Sequence, residues 1–185
     1  SMCLKAANPP AAAPGDCGEE AELAKAAKRK EIEEKVVRFV ALGDGGEGNT
    51  AQYAVANAMK TVCDAKTDED GEGCEFALYL GDNFYNEGVE SIDDPQFVSK
   101  FEAPYAEIRF PFYVVLGNHD YGELSIDFFR VPYQVEYTTR SSKWNMPNEF
   151  YTKSHEHALF IGLDTNAIMV QSILYRTPRR LGFGL

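Results

Sequence analysis

No apolar run in this sequence approaches the roughly 20 residues that a helix needs to cross a bilayer, so no membrane span is expected. Residues 1–18 also lack the apolar stretch of an intact signal peptide. Positive charge is scarce: 18 Lys and Arg stand against 29 Asp and Glu, a net charge of −11. A surface of that sign repels phosphate polymers, which argues against nucleic acid as a partner. A small phosphate can still bind where a cation reverses the local sign. Cysteines are few, and none of the four (Cys3, Cys17, Cys63, Cys74) has the C-x-x-C spacing of a zinc site. Cys63 ends a helical pattern and Cys74 begins a strand pattern. A disulfide closing the acidic loop between them is expected, with two free thiols as the alternative. Such a bridge fits an oxidising compartment, and an extracytoplasmic protein, secreted or periplasmic, is expected. Only three histidines occur, His119, His155 and His157, and a single tryptophan, Trp144, whose default role is core packing.

The chain is long enough for one domain with a real core. Residues 1–18, rich in Ala, Pro and Gly, read as a disordered leader. Glu19–Lys35 reads as a solvated helix with a thin apolar stripe. Residues 36–185 form the domain. Three apolar runs each hand off to a glycine and then to polar residues: Val37–Leu42 before Gly43-Asp44, Glu75–Leu80 before Gly81-Asp82, and Phe112–Leu116 before Gly117-Asn118. The glycines lie 38 and 36 residues apart, room for a strand, a crossover helix and a return strand. After the first run, Asn49 or Thr50 can cap a helix whose inward face carries Ala51, Val55, Ala58, Met59 and Val62. Thr67–Gly73 reads as an acidic loop that fails the calcium-loop pattern. Asp94-Pro95 starts a second helix with Phe97, Val98 and Phe101 inward, stopped by Pro104. Beyond Tyr121, Val131–Tyr137 shows some alternation, Arg140–Asn148 is turn-rich, and Glu149–Thr152 with Ala158–Leu163 reads as a hairpin. The basic end from Arg176 matches no earlier pattern. This order points to an α/β fold, a parallel or mixed sheet with helices on its faces.

Ligands of such sheets bind beyond the carboxyl ends of the strands, where all three polar clusters fall. Asp44, Asp82, Asn118 and Tyr85 are hard oxygen donors. Ionised carboxylates do not crowd together without a cation between them. Two metal ions sharing Asp82 would resolve the crowding, and such pairs serve displacement at phosphorus. If Asn118 is a ligand, His119 is better placed to give a hydrogen bond or a proton to the leaving oxygen, with Asp120 orienting its ring.

Asp44-Gly45-Gly46, Gly81-Asp82-Asn83-Phe84-Tyr85 and Gly117-Asn118-His119-Asp120, in that order, resemble the D-x-G, G-D-x-x-Y and G-N-H-E/D motifs of the calcineurin-like metallophosphoesterase superfamily. Within it they look like the purple acid phosphatase branch, because Gly46 replaces the histidine usual in the first motif and Tyr85 offers a compensating ligand. The resemblance covers about residues 36–166. It implies a sandwich of mixed sheets flanked by helices, incomplete in this chain, and hydrolysis of phosphate monoesters at a binuclear metal centre. It implies Fe(III) held by Asp44, Asp82 and Tyr85, whose tyrosinate gives colour, and a divalent ion (Fe, Zn or Mn) held by Asp82 and Asn118. Ala158–Asn166 is similar to the strand leading into the family's L-D-T, a structural element. The family's later V-x-x-H and G-H-x-H motifs are absent, and they bring three histidine ligands. His155 and His157 lack the leading glycine and precede the L-D-T strand, so a surface hairpin is their expected role. The alternative to an enzyme is an inactive phosphatase-like binding or scaffold protein. In either case the second half of the fold would normally cover this sheet, and self-association through its uncovered surface is expected where it does not.

Overall fold

The computed structural model describes residues 21–27, 36–70 and 73–180, with 68–70 and 173–180 described by their backbone alone. The leader, Cys3, Cys17 and residues 181–185 lie outside the described residues. Two compact units are present, Ser1–Val36 and Val37–Leu185. In the first, residues 21–27 form an exposed helix, α1, with Lys25 paired to Glu22 at 2.9 Å.

The second unit is built on a four-stranded parallel sheet in the order β1 (Phe39–Leu42), β2 (Phe76–Leu80), β3 (Phe112–Val115) and β4 (Trp144–Asn145). The first three strands fall within the apolar runs because a parallel sheet covered on both faces asks for apolar residues at every position. On one face, Val40, Ala77, Tyr79, Phe112 and Val114 join the main core. There Trp144 is fully buried, its edge or face set against Phe101 at 4.8 Å and Phe84 at 5.7 Å between ring centroids. Its indole N–H donates to the Gln134 carbonyl at 2.8 Å.

The opposite face is covered by an antiparallel hairpin, β5 (Tyr151–His155) and β6 (Ala158–Gly162). Phe160 packs edge-on to Phe39 and Phe76, with centroids 5.4 and 5.2 Å apart, and the Tyr151 hydroxyl donates to the Val114 carbonyl at 2.8 Å. The hairpin is thus the start of a second layer, and the sandwich expectation stands for the part of the fold described.

Several elements differ from expectation. Helix α2 (Thr50–Asp70) is capped as expected, Asn49 Oδ1 accepting from Gln52 N–H at 3.0 Å, but it runs through most of the predicted acidic loop. Its buried stripe is Gln52, Ala56, Met59 and Cys63, whereas Val55 and Val62 are exposed. Polar and covalent anchors choose this face. Gln52 accepts from Gly48 N–H and donates to the Lys100 carbonyl, each at 2.6 Å, and Cys63 is bonded to Cys74. The Asp94-Pro95 start is present, Asp94 Oδ1 accepting from Gln96 N–H at 2.9 Å. The helix then continues as a π-helical turn, Val98–Glu102, with Phe97 and Phe101 buried and Val98 turned outward. Val131–Tyr137 is not a strand but helix α3, which buries Val131, Gln134 and Tyr137 at a spacing of three. Residues from Thr165 to Arg180 form helix α4, which no sequence pattern announced. Asp164 caps it, accepting from Ala167 N–H at 2.9 Å, and also accepts from the buried Tyr121 hydroxyl. That is a structural role for the L-D-T element.

At the start of β2, Glu75 Oε1 accepts from Arg38 N–H at 2.8 Å, while Oε2 meets the His155 ring nitrogen Nε2. Partial burial pushes the Glu75 carboxyl up, but the Arg38 N–H together with the His155 hydrogen bond and charge outweigh it and hold it below the ordinary range. A carboxyl depressed on folding stabilises the fold above its unfolded value, near 4.5, and that contribution is lost as pH falls through the lower folded value. Glu75→Gln is therefore expected to flatten the pH dependence of urea midpoints in the acid range and to lower the midpoint at neutral pH. Replacing both disulfide cysteines, Cys63→Ser with Cys74→Ser, is expected to cost about 2–3 kcal/mol by the same assay, because it frees a loop whose ends stand 11 positions apart in the unfolded chain.

Candidate metal centre

The carboxyl ends of β1, β2 and β3 meet at one edge of the sheet. Asp44 and Asp82 each follow a glycine directly off a strand, and both adopt left-handed backbone, with φ of 56° and 51°. That region is disfavoured for side chains other than Asn and Asp, so the turns suit the residues that occupy them. Asp44 N–H donates to the Gly81 carbonyl at 3.1 Å, tying the first turn to the second. A Cβ on Gly117 would fall 2.2 Å from Asp82 N, and one on Gly46 would fall 2.2 Å from the Asn83 carbonyl oxygen. Only glycine lets these turns approach so closely. At Gly46 this leaves no room for any side chain.

The donors converge. The Tyr85 hydroxyl lies 2.8 Å from Asp44 Oδ1 and 3.0 Å from Asp82 Oδ2. The other Asp82 oxygen accepts from His119 N–H at 3.0 Å. Asp44, Asp82 and Asn118 line one cleft of about 560 Å³, together with Ser125, Asn166 and Met169. Burial, then hydrogen bonding to Asp44 and Asp82, pushes the Tyr85 phenol well above its ordinary value, so its proton stays on in this arrangement.

One hydroxyl carries one proton, so it can satisfy only one of the two carboxylates at a time. The remaining pair of oxygens faces lone pair to lone pair, which is the arrangement a hard cation relieves. The oxygen half of the expected ligand set therefore fits a cation. Nitrogen donors are not gathered with it. Among the described residues no cluster of three or more His, Cys, Asp and Glu side chains forms. His155 is engaged with Glu75 at the opposite end of β2, and His157 sits in the hairpin turn.

His119 lies beside Tyr85, ring centroids 4.6 Å apart, and its Nδ1 is 2.9 Å from the Asn86 carbonyl. A carbonyl only accepts, so Nδ1 carries the hydrogen and Nε2 is the nitrogen left for other partners. The structure thus corrects the role expected for Asp120. Its carboxylate does not orient the His119 ring; it is fully buried and accepts from Gly117 N–H at 2.8 Å, Gln134 Nε2 at 3.0 Å and Asn83 N–H at 3.1 Å. Burial lifts its pKa to about 6 against the pull of these donors. Asp120 is a brace between the second and third polar turns. Asn86, Gln134, Ser125 and Asn166 also support the site and were not singled out by sequence. Asn86 acts through its backbone, and Gln134 is one amide in a segment that reads as apolar alternation.

Comparison with known proteins places this arrangement. The calcineurin-like phosphoesterase family matches residues 37–174. Tartrate-resistant acid phosphatase type 5 of Homo sapiens is 36% identical over 119 residues, 62% of this chain and 34% of the relative. Purple acid phosphatase 7 of Arabidopsis thaliana is 38% identical over 86 residues, 45% of this chain and 24% of the relative. Purple acid phosphatase 3 of the same plant is 40% identical over 88 residues, 46% and 22% of the two chains. The chain spans about a third or less of the length of these curated relatives. With the glycine-bounded turns and the ordered Asp, Tyr and Asn donors that they carry, the chain belongs to the calcineurin-like phosphoesterase family.

Proposed function

We propose that this chain supplies the oxygen-donor half of a binuclear metal centre that hydrolyses phosphate monoesters, as an acid phosphatase does. One observation carries the reading: a single phenolic hydroxyl stands within hydrogen-bond distance of two carboxylates from adjacent strand ends. Asp44, Asp82 and Tyr85 would hold a ferric ion, and Asp82 and Asn118 a divalent ion, Fe, Zn or Mn. When bound, such a pair activates the attacking water and neutralises charge on the phosphoryl oxygens. The rest falls to the chain's own groups. The His119 backbone N–H holds Asp82 Oδ1, so that carboxylate is fixed from one side while Oδ2 turns to Tyr85. The Asn86 carbonyl holds a hydrogen on His119 Nδ1, so Nε2 gives a proton to the leaving oxygen of the ester only from the doubly protonated ring, the form in which both nitrogens donate. The histidine ligands of a complete centre would have to come from outside the described residues. An extracytoplasmic setting is part of the proposal, supported by the Cys63–Cys74 bridge. No helix among the described residues is long and apolar enough to cross a membrane.

The test uses the complete gene product supplied with iron and a divalent metal. It is expected to bind metal, to absorb in the visible through Tyr85, and to hydrolyse an aryl phosphate. Absence of both metal and turnover would instead favour a phosphatase-like scaffold. Asp82→Asn should cost well over the roughly 10- to 100-fold that follows loss of a hydrogen-bond partner to a ligand. Asp44→Asn is expected to act in opposite senses on stability and function. In chelator it should raise unfolding free energy by about 0.5–2 kcal/mol, because the crowded charge is gone, while metal uptake and turnover fall.

A further inference from the structure

We infer that Asn166 and Ser125 are positioning residues for Asn118, deciding which end of its amide a divalent cation meets in the cleft. The inference rests on the proposal that Asn118 is a cation donor. An asparagine coordinates through Oδ1; its amino end repels a cation, and the two ends are alike in size. Something must therefore hold the amino end away. Asn118 Nδ2 points toward Ser125 Oγ at 3.5 Å, longer than an ordinary hydrogen bond and close enough to tighten to one when a cation draws Oδ1, and Asn118 makes no side-chain cap with the 3-10 turn that follows it. With Nδ2 turned to Ser125, Oδ1 is the end left for the cation.

Ser125 needs support to stand there. Its φ is 57°, a left-handed conformation that a serine rarely adopts unaided. Its N–H donates to the Gly122 carbonyl at 2.9 Å, and its carbonyl accepts from Asn166 Nδ2 at 2.8 Å. Asn166 is 5% exposed, and its Oδ1 is buried with no partner. A buried amide with one end unmatched is poorer packing material than a leucine of similar size. What the amide gains here is its hold on Ser125. All three residues line the cleft that also holds Asp44 and Asp82. The chain Asn166 to Ser125 to Asn118 has the form of an outer support that orients a ligand.

The test is titration of Mn²⁺ into the complete gene product, with free ion counted by electron paramagnetic resonance, alongside thermal unfolding in chelator. Ser125→Gly and Asn166→Leu are each expected to weaken Mn²⁺ binding about 10- to 100-fold. Their unfolding midpoints in chelator should hold or rise, because glycine accepts the left-handed backbone and leucine removes an unmatched buried oxygen. The double serine replacement at Cys63 and Cys74 should do the reverse, lowering the midpoint and leaving Mn²⁺ affinity alone. Wild-type affinity in Ser125→Gly, with affinity lost in Asn118→Ala, overturns the positioning role. Wild-type affinity in Asn118→Ala overturns the donor reading beneath it.

Discussion

Two carboxylates, one from each of two neighbouring strand ends, share a single phenolic hydrogen. Asp44 and Asp82 could each turn to solvent, as aspartates at exposed strand ends commonly do. Here the backbone turns hold them against Tyr85 instead. The glycines at 46 and 117 admit the close approach, and the Asp120 brace ties the second turn to the third. The fold spends backbone conformation and a fully buried carboxylate to keep charges close. The walls of the cleft carry no lysine or arginine to offset that charge, and this is the physical ground on which the proposal of a bound cation rests.

The same constraint explains which features were legible in the sequence. A donor placed one to five residues past a buried strand inherits its position from the strand, so Asp44, Asp82, Tyr85 and Asn118 could be grouped from spacing alone. Strands β1 to β3 were legible because a sheet covered on both faces leaves continuous apolar runs. Helix α2 was legible in existence but not in rotation. Its apolar residues fill two stripes, and the choice between them was made by the Gln52 hydrogen bonds, one of them to Lys100 far along the chain, and by the tie through Cys63. Helix α3 was missed because Val-Pro-Tyr-Gln-Val-Glu-Tyr satisfies alternation as well as a spacing of three, and seven residues are too few to separate the two periods.

Asp120 shows a different limit. Adjacent to His119 in sequence, it is the partner that chain order suggests for the ring. In a tight 3-10 turn, neighbouring side chains diverge, and the carboxylate goes inward where three donors wait for it. Sequence adjacency is thus a poor guide to contact within a turn, whereas position relative to a strand end is a good one. The ring instead takes a backbone carbonyl, Asn86, which no side-chain reading can reveal.

Oxygen and nitrogen donors make different demands on the chain. Short carboxylates and amides reach a cation from the first turn off a strand, and their alignment follows once the parallel register sets the strand ends side by side. A histidine is longer and needs a second partner for its other nitrogen, so it calls for its own supported turn. His155 has such a partner in Glu75, but at the wrong end of the sheet. Because β2 separates them by five residues of extended chain, no local rearrangement of the hairpin carries that ring to Asp82. The described residues therefore hold a preorganised group of acidic and phenolic oxygens with no histidine side chain hydrogen-bonded to Asp44 or Asp82. Preorganisation of this half, rather than its affinity taken alone, is what the interlocked strand ends provide.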